Sequence, residues 1–93
     1  MKLVYTDEAI DDLIRLREFI AVHNPAAAAR IASELVGKIE LLSDFPNMGT
    51  PVEMAPVPDS IRDMVFGKYV VRYSIHASAI IILRVWHGLE GER

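Results

Sequence analysis

Residues 61–87 read Ile61-Arg62-Asp63-Met64-Val65-Phe66, Gly67-Lys68, Tyr69-Val70-Val71-Arg72-Tyr73-Ser74-Ile75-His76, Ala77-Ser78, Ala79-Ile80-Ile81-Ile82-Leu83-Arg84-Val85-Trp86-His87. β-branched and aromatic residues dominate three runs, each separated from the next by a two-residue break, which is the pattern of an antiparallel meander of three strands. Side chains alternate across a strand. Tyr69, Val71, Tyr73 and Ile75 should therefore share one face, with Val70, Arg72, Ser74 and His76 on the other. In the last run, Ile81, Leu83, Val85 and His87 are expected on one face, and Ile80, Ile82, Arg84 and Trp86 on the opposite one.

Upstream the period changes. Leu13, Leu16 and Ile20 recur at helical spacing, with Ile10 and Phe19 widening the stripe and Asp11, Asp12, Arg15 and Glu18 on the other side. Thr6 is the expected N-cap of this helix, with Asp7 and Glu8 at the positive end of its dipole. Asn24-Pro25 ends it and starts a second helix, read to about Ser43, whose stripe is Ala28, Ile31, Leu35, Ile39 and Leu42. Two helices joined so tightly form an αα-hairpin. Gly37 inside the second is expected to mark close packing against the first. Lys2 to Thr6 reads as an opening strand. Residues 44–60 hold Pro46, Gly49, Pro51, Pro56 and Pro58, a loop without regular structure that serves either function or simple connection. The expected class is α+β, in the order β-α-α-β-β-β, with the hairpin packed on one face of a small antiparallel sheet.

Ninety-three residues make a single domain, 1–93, with one core. Cysteine is absent, which excludes disulfides and thiolate metal sites and is consistent with a cytoplasmic location. Met1 to Glu8 turns acidic where a signal peptide needs an apolar core, and no apolar run is long enough to span a membrane. The residues are 52% hydrophobic, and mean hydropathy is +0.23. That excess suggests a surface covered by a partner, with alanine richness at Ala26 to Ala29 as the alternative.

The net charge is −3, divided between −5 in residues 1–60 and +2 in residues 61–93. Independent nucleic-acid binding is therefore not expected. The weakly basic part holds Arg72 and Arg84 on what should be the open sheet face, with Trp86 between them and Arg62 joining them in one strand register. Such a cluster suits recognition of carboxylate or phosphate. Cross-strand pairing of the arginines with Asp63 is the alternative. His76 and His87 lack the partners of a metal site, and no nucleophile-elbow, zincin or phosphate-loop motif occurs. Asp11, Asp12, Glu90 and Glu92 read as exposed helix and tail charges.

Ala9-Ile10-Asp11-Asp12-Leu13 with Phe19-Ile20, Leu42-Ser43-Asp44-Phe45-Pro46-Asn47-Met48-Gly49, Phe66 to Tyr73, and Leu83-Arg84-Val85-Trp86-His87-Gly88 together resemble the ParE/RelE toxin superfamily, closer to ParE, over nearly the whole chain. The resemblance implies a cytoplasmic toxin without cofactor or metal, neutralised by a ParD-like antitoxin that lays an amphipathic helix, and an extended strand, over hairpin and sheet. It implies either poisoning of DNA gyrase, as in ParE, or ribosome-dependent mRNA cleavage, as in RelE. An inactive homologue that still binds antitoxin is a third outcome. RelE-type nucleases resemble one another in placing arginine directly after the Tyr69 position and basic and tyrosine residues near the C-terminus. Here Val70 follows Tyr69, Leu89 follows Gly88, and no tyrosine follows Tyr73. Ribonuclease activity, and catalytic residues of any kind, are therefore not expected. Leu89 also departs from ParE, where a basic residue is common. The expected target-binding residues are Arg62, Arg72, Arg84, Trp86, His87 and Arg93.

Overall fold

The computed structural model describes residues 1–53 and 55–91. Its elements are β1 (Lys2–Tyr5), α1 (Asp7–His23), α2 (Pro25–Glu40) closed by a 3₁₀ turn at Leu41–Ser43, β2 (Thr50–Pro51), β3 (Ile61–Phe66), β4 (Tyr69–Ile75) and β5 (Ala79–His87). The five strands lie in the order β1-β5-β4-β3-β2.

The helices begin and end where the capping chemistry requires. The Thr6 hydroxyl accepts from the Ala9 amide at 3.0 Å, and the Asn24 carbonyl oxygen of the side chain accepts from Ala27 at 3.2 Å. The same Asn24 donates its backbone N–H to Ile20 at 2.7 Å, so one residue closes α1 and opens α2. Ala9, Leu16, Leu35, Ile39 and Leu42 bury their side chains against Met64, Val71, Tyr73, Ile80, Ile82 and Val85 of the sheet. Each large aliphatic side chain so buried contributes about 1.5–3 kcal/mol. The chain is thus α+β, a helical hairpin on one face of a sheet, as its periodicities require.

Four details differ from the sequence reading. First, β1 pairs with β5 in parallel, Lys2 opposite Ala79 and Tyr5 opposite Ile82, so only β2 to β5 form the antiparallel part. Second, the proline-rich loop contributes the short strand β2, with Thr50 opposite Asp63 and Pro51 opposite Arg62. Pro51 is tolerated because β2 is an edge strand. The loop before it is fastened from below: the Tyr73 hydroxyl donates to Pro46 O at 2.7 Å and accepts from Gly49 N at 2.9 Å. A Cβ at position 49 would meet Asp63 O at 2.8 Å, which is why glycine stands there.

Third, Gly37 does not mark close helix packing, since a Cβ there would meet nothing within 4 Å. Fourth, alternation along β5 breaks. Tyr73 lies opposite Ile82 but Arg72 opposite Arg84, leaving Leu83 as an extra, bulged residue. Ile80 and Ile82 are therefore buried toward the helices together with Val85, on the other side of the bulge, instead of sharing a face with Arg84 and Trp86.

Candidate target-binding face

The bulge falls where β1 ends. Beyond Ile82, β5 has β4 on one side and no strand on the other, and an uncovered strand edge there would leave backbone groups without partners. α1 covers that edge with side chains. The Asp12 carboxylate accepts from the Val85 amide at 2.9 Å, and Arg15 donates to Val85 O at 3.3 Å. Thr6, at the start of the helix, donates its hydroxyl to the carbonyls of Ile82 and Leu83, each at 3.0 Å.

Asp12 is 1% exposed, so the reading of it as a solvated helix charge is corrected. Its carboxylate also accepts from Arg84 Nε at 2.8 Å and Nη2 at 3.0 Å, and from Arg15 Nη1 at 2.6 Å. Burial alone pushes the Asp12 pKa up, but the bonds from Arg84, Val85 and Arg15 outweigh it and hold the group at about 2. Arg84 is held above its ordinary value chiefly by the bond to Asp12. The signal was present in the sequence. Ala9, Asp12, Leu16 and Ile20 recur at intervals of three and four residues, which places a carboxylate in the apolar stripe.

Glu90 is the second correction. Its carboxylate takes a bidentate bond from Arg15, Nε to Oε2 at 3.0 Å and Nη2 to Oε1 at 3.1 Å, and accepts from the His87 amide at 2.9 Å. This ties the turn that follows β5 to α1. Arg15 is held above its ordinary pKa first by Glu90 and further by Asp12, against the effect of burial.

The structure divides the six residues expected to form a target-binding patch. Arg72 and Trp86 do meet: the guanidinium lies 5.2 Å from the centroid of the indole. Arg72 also makes a bidentate pair with Asp63, at 2.8 and 2.9 Å, the cross-strand arrangement that was the alternative reading. Trp86 is 6% exposed and forms a floor beneath Arg72. Arg84 stands opposite Arg72 in register, yet its guanidinium turns to Asp12 at the sheet edge.

Arg62 does not join them. It stands opposite Tyr73 on the helix-side face and donates to Gly49 O at 2.7 Å, with its Nε buried. The alternation of β3 decides this, because Asp63 takes the open face. His87 is buried on the helix side, its ring 5.0 Å from Tyr69 and 6.0 Å from Phe19, and its Nδ1 accepts from the Leu89 amide at 3.0 Å. Arg93 lies outside the described residues.

The basic patch expected from the sequence is therefore largely cancelled by internal carboxylates. The surface beside it is apolar: a groove is lined by Val65, Lys68, Val70, Gly88 and Leu89, in which Val65 is 68% and Leu89 84% exposed. A second apolar groove runs along the outside of the hairpin, lined by Leu13, Ile14, Arg17, Ile31, Ala32 and Val36. Among the described residues, no three His, Asp or Glu side chains converge to hold a metal, and no helix is long and apolar enough to cross a membrane.

This architecture is shared with chains of solved toxin–antitoxin systems. It is similar to the chromosomal ParDE system of P. aeruginosa, with a TM-score of 0.80 and 22% identity over 94% of this chain and 95% of that one. It is also similar to the RelBE2 toxin–antitoxin complex of Mycobacterium tuberculosis, with a TM-score of 0.66 and 26% identity over 92% and 95% of the two chains. Residues 3–91 match the model of the ParE toxin of the type II toxin–antitoxin system parDE, and the chain belongs to that family. Among curated relatives, Toxin RelE1 of Caulobacter vibrioides is 35% identical over 81 residues, 85% of this chain and 84% of the relative. Toxin RelE2 of the same organism is 30% identical over 92 residues, 94% of each.

Proposed function

We propose that this toxin inhibits growth by poisoning DNA gyrase, binding it as a protein ligand without breaking bonds itself, and that a ParD-like antitoxin neutralises it in the cytoplasm. The observation that carries this reading is the state of the groups a nuclease would need. His87 is 7% exposed with Nδ1 engaged by a backbone amide. The Tyr69 hydroxyl is held above its ordinary pKa by burial and by the charge of Glu90. Arg72 and Arg84 each pair with a carboxylate. General acid–base cleavage of RNA needs an accessible base and cations aimed at the scissile phosphate, and these side chains are committed elsewhere. The apolar groove beside Arg72, in which Val65 and Leu89 are exposed, instead suits contact with a protein surface.

The hairpin groove supports the antitoxin part of the proposal. Ile14 on α1 is 54% exposed and lies in the groove with Leu13, Ile31 and Val36, an apolar strip of the kind that an amphipathic helix covers. Arg17 in that groove provides a partner for an acidic residue of the antitoxin.

The names of the two Caulobacter relatives favour a second reading, ribosome-dependent mRNA cleavage. Purified toxin, released from its antitoxin, should inhibit supercoiling by gyrase and trap cleaved DNA, while leaving mRNA intact in a translating extract. Cleavage of mRNA in that extract with no effect on gyrase would establish the second reading in place of the first.

A further inference from the structure

The turn after β5 is built more firmly than a connecting segment requires. Within residues 87–91, the Glu90 carboxylate accepts from the His87 amide, the Glu90 amide donates back to His87 O at 2.8 Å, and His87 Nδ1 accepts from Leu89 N. Gly88 N donates to Lys68 O at 2.7 Å, which binds the turn to the β3–β4 hairpin. Gly91 has φ +79°, a conformation that favours glycine. From the other side, Arg15 of α1 holds both oxygens of Glu90, and Asp12 holds Arg15. Among all these bonded residues one side chain, Leu89, is left 84% exposed. It stands in the groove with Val65 and Val70, so it extends an apolar patch instead of standing singly on the surface.

We propose that Arg15 and Glu90 are positioning residues for target recognition: their ion pair clasps the C-terminal turn to α1 and thereby fixes Leu89 as an apolar contact for the target protein. The inference rests on the reading that the open sheet face and the adjoining turn meet the target. Ordering a side chain before association lowers the entropy cost of binding, so a clasp that makes no contact with the target still raises affinity.

The test uses the full chain, co-expressed with its antitoxin, carrying Glu90→Ala, Glu90→Gln or Leu89→Ala. Glu90→Gln keeps the acceptor for the His87 amide and loses the charge, so it grades the effect. In Glu90→Ala the Leu89 amide should exchange hydrogen at least ~10-fold faster while amides of α2 and β4 keep their protection. Growth inhibition and gyrase trapping should fall by a similar factor, Glu90→Gln should be intermediate, and Leu89→Ala should match Glu90→Ala. Antitoxin affinity should stay within about twofold of the parent in all three, because the hairpin groove is untouched. Unchanged Leu89 exchange in Glu90→Ala would overturn the clasp whatever the target. Faster exchange with full toxicity would overturn its role in recognition. If Leu89→Ala loses toxicity while Glu90→Ala keeps it, the turn meets the target but the clasp does not serve it. If Arg72→Ala, Trp86→Ala and Leu89→Ala all remain toxic, the reading of the target face fails, and the clasp's role in recognition fails with it.

Discussion

The two halves of β5 satisfy the same backbone by different means. Ala79 to Ile82 lies between β1 and β4, and its amides and carbonyls enter ladders on both sides. Leu83 to His87 keeps β4 but loses β1, and α1 takes over with Asp12, Arg15 and Thr6. The first half is held by hydrogen bonds that any sequence of β-formers would make. The second depends on particular side chains about seventy residues away in the chain. Stability should therefore be spread evenly over one half and concentrated on a single carboxylate in the other.

Removing that carboxylate gives the sharpest contrast. Asp12→Ala leaves the Val85 amide without its acceptor, while Arg84, 34% exposed, turns to water, and it should cost about 1–3 kcal/mol, the range for a buried group left unsatisfied. Urea denaturation checks it, with the midpoint lowered and the slope unchanged. A loss below about 1 kcal/mol would mean that the edge is not held by Asp12.

Acid should act on the same half. The folded pKa of Asp12 lies near 2, below its ordinary 3.8. A carboxylate lowered in this way contributes stability above its unfolded pKa, and the contribution is lost as pH falls from about 4 through about 2. Its size is roughly 2 kcal/mol. Unfolding curves recorded across that window should show the decline, and the Asp12→Asn variant should lack that part of it.

Thr6 stands at the join between the halves, capping α1 and bonding the carbonyls of Ile82 and of the bulged Leu83. Thr6→Ala should cost about 1–2 kcal/mol, at the upper end for a cap. A change in Leu89 exchange in this variant would show that the join also transmits to the C-terminal turn. The smallest effect is expected in the first half, where Ile80→Val removes one buried methyl for about 0.5–1.5 kcal/mol. Were it to exceed Asp12→Ala, the proposed division of labour along β5 would be reversed.

These differences explain which parts of the molecule were legible in its sequence. Helix ends were, because Thr6, Asn24 and Pro25 act on neighbours within four residues. Strand identity was, because β-branched runs bounded by Gly67-Lys68 and Ala77-Ser78 admit little else. The face assignment of β5 was not, since Leu83 differs in no visible way from its neighbours and the bulge arises from the change of partner at the end of β1. Arg62 and Arg84 were misplaced for related reasons: one followed the register of β3, the other a helix carboxylate 72 positions earlier. Arg72 and Trp86 were correctly placed together because they are diagonal neighbours on adjacent strands, Trp86 opposite Val70 and Arg84 opposite Arg72, on the same side of the bulge. β2 escaped notice because two residues among prolines carry no periodicity.

The parallel pairing of β1 with β5 has a consequence for how the chain comes to exist at all. Residues 2–5 cannot find their partners until residues 79–82 have been made, so nearly the entire chain is enclosed in one loop that can close only then. Long-range closure of this kind slows folding relative to local contacts. While it is being synthesised, the molecule can form its helical hairpin but has no sheet on which to bury it. During that interval Leu16, Leu35 and Ile39 lie open alongside the groove that the antitoxin is proposed to cover, and a neutralising partner already present could meet the toxin before its second half is in place.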